Sequence, residues 1–66
     1  MAIKGVSMTV KELAQVFDSS TIFYIRNDKK YLDKKAAKHI ERTEYCDKEV
    51  VYVERLETSM LIIIKE

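Results

Sequence analysis

The sequence predicts a small α+β domain in which two short helices and a four-stranded antiparallel sheet follow the order α-β-β-α-β-β. Three observations lead there. A helix-start signature stands at Thr9–Glu12, β-branched and aromatic runs recur between turn residues, and the chain has only 66 residues. That length lies below the roughly 100 to 200 residues usual per domain, so residues 1–66 form a single domain around one core. Apolar residues make up 47% and charged residues 35%, with Gly5 the only glycine and no proline. Such a composition folds rather than remaining disordered.

Residues 1–7 read as an extended lead-in, frayed or paired at a sheet edge. Thr9-Val10-Lys11-Glu12 is a capping box: the Thr hydroxyl takes the Glu12 amide and the Glu carboxylate returns to the Thr9 amide. Met8 and Leu13 bracket that cap as a hydrophobic staple, and Val10, Leu13, Ala14 and Phe17 recur with helical spacing. Asp18-Ser19-Ser20 ends the helix, because short polar side chains compete for the backbone. Thr21–Arg26 and Lys29–Leu32 are then two strands of a hairpin turning at Asn27-Asp28. After Asp33, residues 34–44 suit a second helix with a thin apolar stripe of Ala36 or Ala37 with Ile40. Lys48–Leu56 and Met60–Lys65 are strands around a turn at Glu57-Thr58-Ser59.

The strands carry a further message. Ile22-Phe23-Tyr24-Ile25, Val50-Val51-Tyr52-Val53 and Met60–Ile64 are apolar at both parities, whereas a half-exposed strand alternates. With helices on one face, the other face is expected to meet a second copy of the chain, and Tyr24, Tyr52, Ile62 and Ile64 are the expected interface residues of a homodimer. A sheet curled over itself as a partial barrel would cover both faces without a partner.

Charge is unevenly spread. Residues 26–42 hold seven cations against three carboxylates, while residues 43–66 hold three against six. The basic stretch puts Arg26, Lys29, Lys30, Lys34, Lys35 and Lys38 around one hairpin and one helix, with Tyr31 interleaved. These seven residues are the expected partner-binding set. They suit an acidic protein surface or, alternatively, a nucleic-acid backbone with sheet tyrosines stacking on bases. A net charge of +1 weighs against nucleic acid.

Catalytic chemistry finds little to work with. His39 and Cys46 are the only residues of their kinds, and they supply neither an oriented nucleophile–base pair nor the three or four ligands of a metal site. A single glycine excludes the Gly-rich phosphate cradles. Glu54 with Glu57, or Glu44 with Asp47, has no apolar pocket to raise a carboxyl pKa. No catalytic, cofactor or metal residue is expected, and the chain is expected not to be an enzyme. One cysteine forms no internal disulfide, the N-terminus lacks a secretory pattern, and the longest apolar run, Met60–Ile64, is far shorter than a membrane span. A cytoplasmic location is expected.

Met8–Leu13, the hairpin that follows, Asp47-Lys48-Glu49-Val50-Val51 and the closing Leu61–Ile64 strand together resemble small, mostly uncharacterised phage and prophage proteins of Gram-positive bacteria. The resemblance covers residues 8–65 as a pattern of capping and core. It implies a small binder that blocks a host enzyme or defence system by protein–protein contact, acting in the bacterial host cell. It carries no site residues. Met8 stands where such proteins usually begin, so residues 1–7 are expected to be an alternative start or an added lead.

Overall fold

The computed structural model describes residues 2–4 and 8–65. It has the α+β character expected, with five strands rather than four. Strand β1 (Ala2–Lys4) precedes helix α1 (Val10–Ala14); β2 (Ile22–Arg26) and β3 (Tyr31–Ala36) form a hairpin. A 3-10 helix (Ala37–Arg42) leads to a second hairpin of β4 (Val50–Arg55) and β5 (Ser59–Ile64). The strands lie in the order β1-β4-β5-β2-β3. Both hairpins and the β1–β4 pair are antiparallel, but β5 lies parallel to β2, which makes the sheet mixed rather than purely antiparallel. The lead-in is thus partly strand; residues 1 and 5–7 lie outside the described residues.

Helix α1 starts as the sequence dictates. The Thr9 amide donates to Glu12 Oε1 at 2.8 Å and the Glu12 amide to Thr9 Oγ1 at 3.3 Å, completing the box. The next two free amides of the first turn, Val10 and Lys11, donate to the Lys48 and Cys46 carbonyls at 3.1 and 3.0 Å. The loop before β4 therefore satisfies the donors that a helix start leaves open. The helix is shorter than expected, ending at Ala14 with Gln15 as its C-cap rather than at Asp18-Ser19-Ser20, where the Ser20 amide instead donates to Asp18 Oδ1 within a separate turn.

The second helix departs from expectation in place and in pitch. Residues 34–36 extend β3, where Lys34 and Lys35 pair with Tyr24 and Phe23 across the hairpin. An edge strand tolerates these charges because each side chain can reach water. The helix that follows is 3-10, and its buried residues Ala37 and Ile40, with buried Thr43 next, recur every three residues. That spacing matches the three-residue turn of a 3-10 helix and would drift round an α-helix. The Ala37 and Lys38 amides donate to the Thr21 and Ser19 carbonyls at 2.8 and 3.0 Å, which fastens the helix start beside the end of the α1 loop.

Both helices cover the same sheet face. Val10, Leu13 and Ala14 from α1 and Ala37 and Ile40 from the 3-10 helix pack with Phe23, Ile25, Val50, Val53, Met60, Ile62 and Ile64 in one core. Phe17 closes its edge, with its ring perpendicular to that of Phe23 at 5.7 Å between centroids. Strand β5 alternates strictly, so Met60, Ile62 and Ile64 are buried while Leu61 and Ile63 are half-buried on the opposite face. Among the described residues β1 and β3 are unpaired edges, so the sheet is open and not a closed barrel.

Candidate binding surfaces

The strand registers define the uncovered face. One row across it reads Tyr52, Ile63, Arg26, Tyr31, and the next reads Glu54, Leu61, Tyr24, Lys34. Tyr24, Tyr52, Leu61 and Ile63 are all half-buried, lying side by side with no helix above them. Lys34 places its ammonium 5.5 Å from the centre of the Tyr24 ring, a cation–π contact at the β3 side of the face. At the other side the Tyr52 hydroxyl donates to Glu54 Oε1 at 2.9 Å. This bond keeps the proton on the phenol, so Tyr52 titrates above its usual value. The face is apolar and aromatic in the middle, basic along β2 and β3, and acidic along β4.

Two of the four expected interface residues stand on this face, namely Tyr24 and Tyr52. Ile62 and Ile64 do not: at 0% and 2% exposure they belong to the core, and their neighbours Leu61 and Ile63 take the outer positions. Strand β5 is apolar at both parities, so its own composition cannot orient it. The cue lay in β4, where Glu54 shares the parity of Tyr52 and leaves Val53 as the core residue opposite Ile62.

The expected basic set is split by the pleat of β3. Arg26, Tyr31 and Lys34 lie with the open face, and Lys29 and Lys30 occupy the hairpin turn. Lys35 lies on the helix side, where it lines a shallow hollow of about 280 Å³ with His39 and Arg42 from the 3-10 helix. Lys38 borders a neighbouring groove of about 370 Å³ between α1 and the 3-10 helix, with Phe17 and Ala37 in its lining and Lys11 and Glu41 at its rim. His39 and Arg42 stood outside the expected partner-binding set, because an exposed His on a charged stretch reads as a solvated residue. The turn itself is built by Asn27, whose buried Oδ1 accepts the Lys29 and Lys30 amides at 2.8 Å each, directing both lysine side chains outward.

Among the described residues the one ion pair joins Lys11 to Asp47 at 3.2 Å, and it holds the Lys11 ammonium above its usual pKa. Lys29, Lys30, Lys34, Lys35, Lys38 and Arg42 make no such pair there. His39 lines the basic hollow, while half-buried Cys46 packs against the core from the loop before β4. No group of three or more His, Cys, Asp or Glu able to hold a metal occurs among the described residues, and none of their helices is long and apolar enough to cross a membrane.

No protein-family model, curated protein or solved structure matches this chain.

Proposed function

We propose that this chain is a small, non-enzymatic binding protein that docks an acidic protein surface on its basic helix side. The observation that carries the reading is the convergence of Lys35, His39 and Arg42 on one hollow, with Lys38 beside it and no carboxylate paired to any of them among the described residues. Unneutralised cations gathered on one side steer an acidic partner and pair with it on contact. Lys29 and Lys30 stand apart from this group, at the hairpin turn before β3. The likeness to small phage and prophage proteins gives the partner a class: a host enzyme or defence protein in the bacterial cytoplasm, inhibited by being covered.

The test begins with affinity capture from a Gram-positive host lysate. It compares the wild-type chain with a Lys35→Glu, Lys38→Glu, Arg42→Glu variant, and is followed by titration of the purified captured protein. The expected result is a stoichiometric complex that weakens at least about tenfold in the variant and with added salt. Equal binding by a folded variant would overturn the reading.

A second reading has its own observation. Tyr31 is 57% exposed next to Lys30 and opposite Arg26, and Tyr24 lies under Lys34, so the basic end of the open face offers aromatic rings flanked by cations. Single-stranded nucleic acid binds such surfaces by stacking and phosphate contact. Fluorescence polarisation with a labelled single-stranded oligonucleotide at low and moderate salt decides it. Steeply salt-dependent binding that is lost on Tyr31→Ala favours nucleic acid, and its absence leaves the protein-binding reading alone.

A further inference from the structure

We infer that the open sheet face is the interface of a homodimer whose two-fold axis lies in the contact plane, parallel to the strands and between β5 and β2. This surface is separate from the basic helix side, and the inference does not depend on what that side binds. The occupant is argued from charge and register. Across the four strands β4, β5, β2 and β3 one row runs Glu54, Leu61, Tyr24, Lys34, with a carboxylate on β4 and an ammonium on the β3 edge, while the three-residue β1 lies beyond β4 and outside this four-strand contact. An in-plane two-fold parallel to the strands carries β4 of one copy over β3 of the second, and β5 over β2. It therefore sets Glu54 over Lys34 of the second copy and Leu61 over its Tyr24, and it does so twice by symmetry.

The adjacent row sets Ile63 against Arg26 and Tyr52 against Tyr31. Arg26 suits that place: its Nε donates to the Asn27 carbonyl at 3.2 Å, leaving its aliphatic stem to cover Ile63. A two-fold across the strands would instead stack Glu54 on Glu54 and Lys34 on Lys34, which like-charge repulsion disfavours. The face is thus complementary to itself in one orientation. Strands of the two copies then run aligned, as in a two-sheet sandwich packed at about −30°.

Four strands span about 19 Å and five residues about 17 Å. With side-chain relief, such a face buries about 1,200 Å² over both copies, the lower edge of standard specific interfaces. That size is in keeping with a reversible dimer rather than an obligate one.

Sedimentation equilibrium from low-micromolar to near-millimolar concentration tests this on the wild-type chain, on Glu54→Lys, on Lys34→Glu and on the double exchange, with circular dichroism confirming that each is folded. The wild type is expected to pass from monomer to dimer, each single reversal to weaken dimerisation by about tenfold or more, and the double exchange to restore it. Glu54→Gln, which keeps an acceptor for the Tyr52 hydroxyl, serves if Glu54→Lys unfolds, and is expected to weaken the dimer without repulsion. A wild type monomeric throughout, or a folded double exchange that does not recover, would overturn the inference.

Discussion

Truncating Ile62 and Ile63 separately tests which face of the sheet is core. Ile62 is fully buried between helices and sheet, whereas Ile63, one residue later, is half-buried on the open face. Ile62→Ala removes three carbons, about 2.4 kcal/mol at ~0.8 kcal/mol per buried carbon group. The cavity left in a packed core raises that to about 3–4 kcal/mol. Ile63→Ala opens no enclosed cavity, so its cost to the monomer is about 1 kcal/mol or less. A domain of this length has about 3–10 kcal/mol in all, and Ile62→Ala therefore brings it close to unfolding. Ile62→Val is the gentler companion: at about 1 kcal/mol it lowers the melting temperature by about 4–8 °C. Urea and thermal unfolding followed by circular dichroism supply the numbers, extrapolated over a dilution series so that dimerisation does not contribute. A loss from Ile63→Ala equal to or larger than that from Ile62→Ala would refute the facial assignment and, with it, the dimer built on Leu61 and Ile63.

Three further outcomes follow from single contacts. Thr9→Ala is expected to cost about 1 kcal/mol in urea unfolding through loss of the cap. Bonds from the Thr9 amide and hydroxyl hold the Glu12 carboxyl below its usual pKa. The unfolded chain then binds that proton more readily, so the contribution is complete above the usual glutamate range and is lost as pH falls through the lowered value. Wild type should accordingly lose more stability than Glu12→Gln between neutral and strongly acidic pH, and parallel curves would refute this. Tyr52 shows the opposite sign: its raised pKa means stability present below the usual phenol value and lost as pH climbs through the folded one, a loss absent from Tyr52→Phe in alkaline unfolding. Asn27→Ala leaves two turn amides without their side-chain acceptor and is expected to cost about 1–3 kcal/mol, with Asn27→Asp recovering part of it; an unchanged urea midpoint would mean that water replaces Asn27 freely.

How much of this was legible in the sequence varied with the source of the information. The start of α1, the hairpin turn at Asn27 and the positions of β4 and β5 are local: a capping box, a turn residue and runs of β-branched residues define them within a few positions. The parallel pairing of β5 with β2 was not legible, because its partners are far apart in sequence and nothing in either strand encodes its neighbour. The fate of residues 34–36 depended on an edge that only the assembled sheet creates. A Lys-Lys-Ala segment is compatible with helix by propensity, and pairing with β2 decided the competition. The expected basic set lies in one stretch of sequence but not on one surface. Lys34 and Lys35 are adjacent in sequence but point to opposite sides of the sheet, so one basic stretch became two surfaces.

The same alternation bears on how copies of this chain can meet. A five-stranded open sheet has two edges, and an exposed edge invites pairing with another chain. The β3 edge carries Asp33, Lys34 and Lys35 in succession, and its register shifts beside Ile25 and Arg26. Charged side chains on that edge and an irregular ladder oppose the addition of a strand there. The β1 edge is a strand of only three residues, too short to template a long partner. Sheet extension is therefore opposed at both ends, by charge at one and by length at the other. The open face has no such guard: Tyr24, Leu61, Ile63 and Tyr52 form its centre, and its charged ends attract rather than repel a second copy turned about the strand direction. An arrangement that blunts both edges while leaving an apolar face bare favours face-to-face pairing, which closes at two copies, over edge-to-edge addition, which does not close.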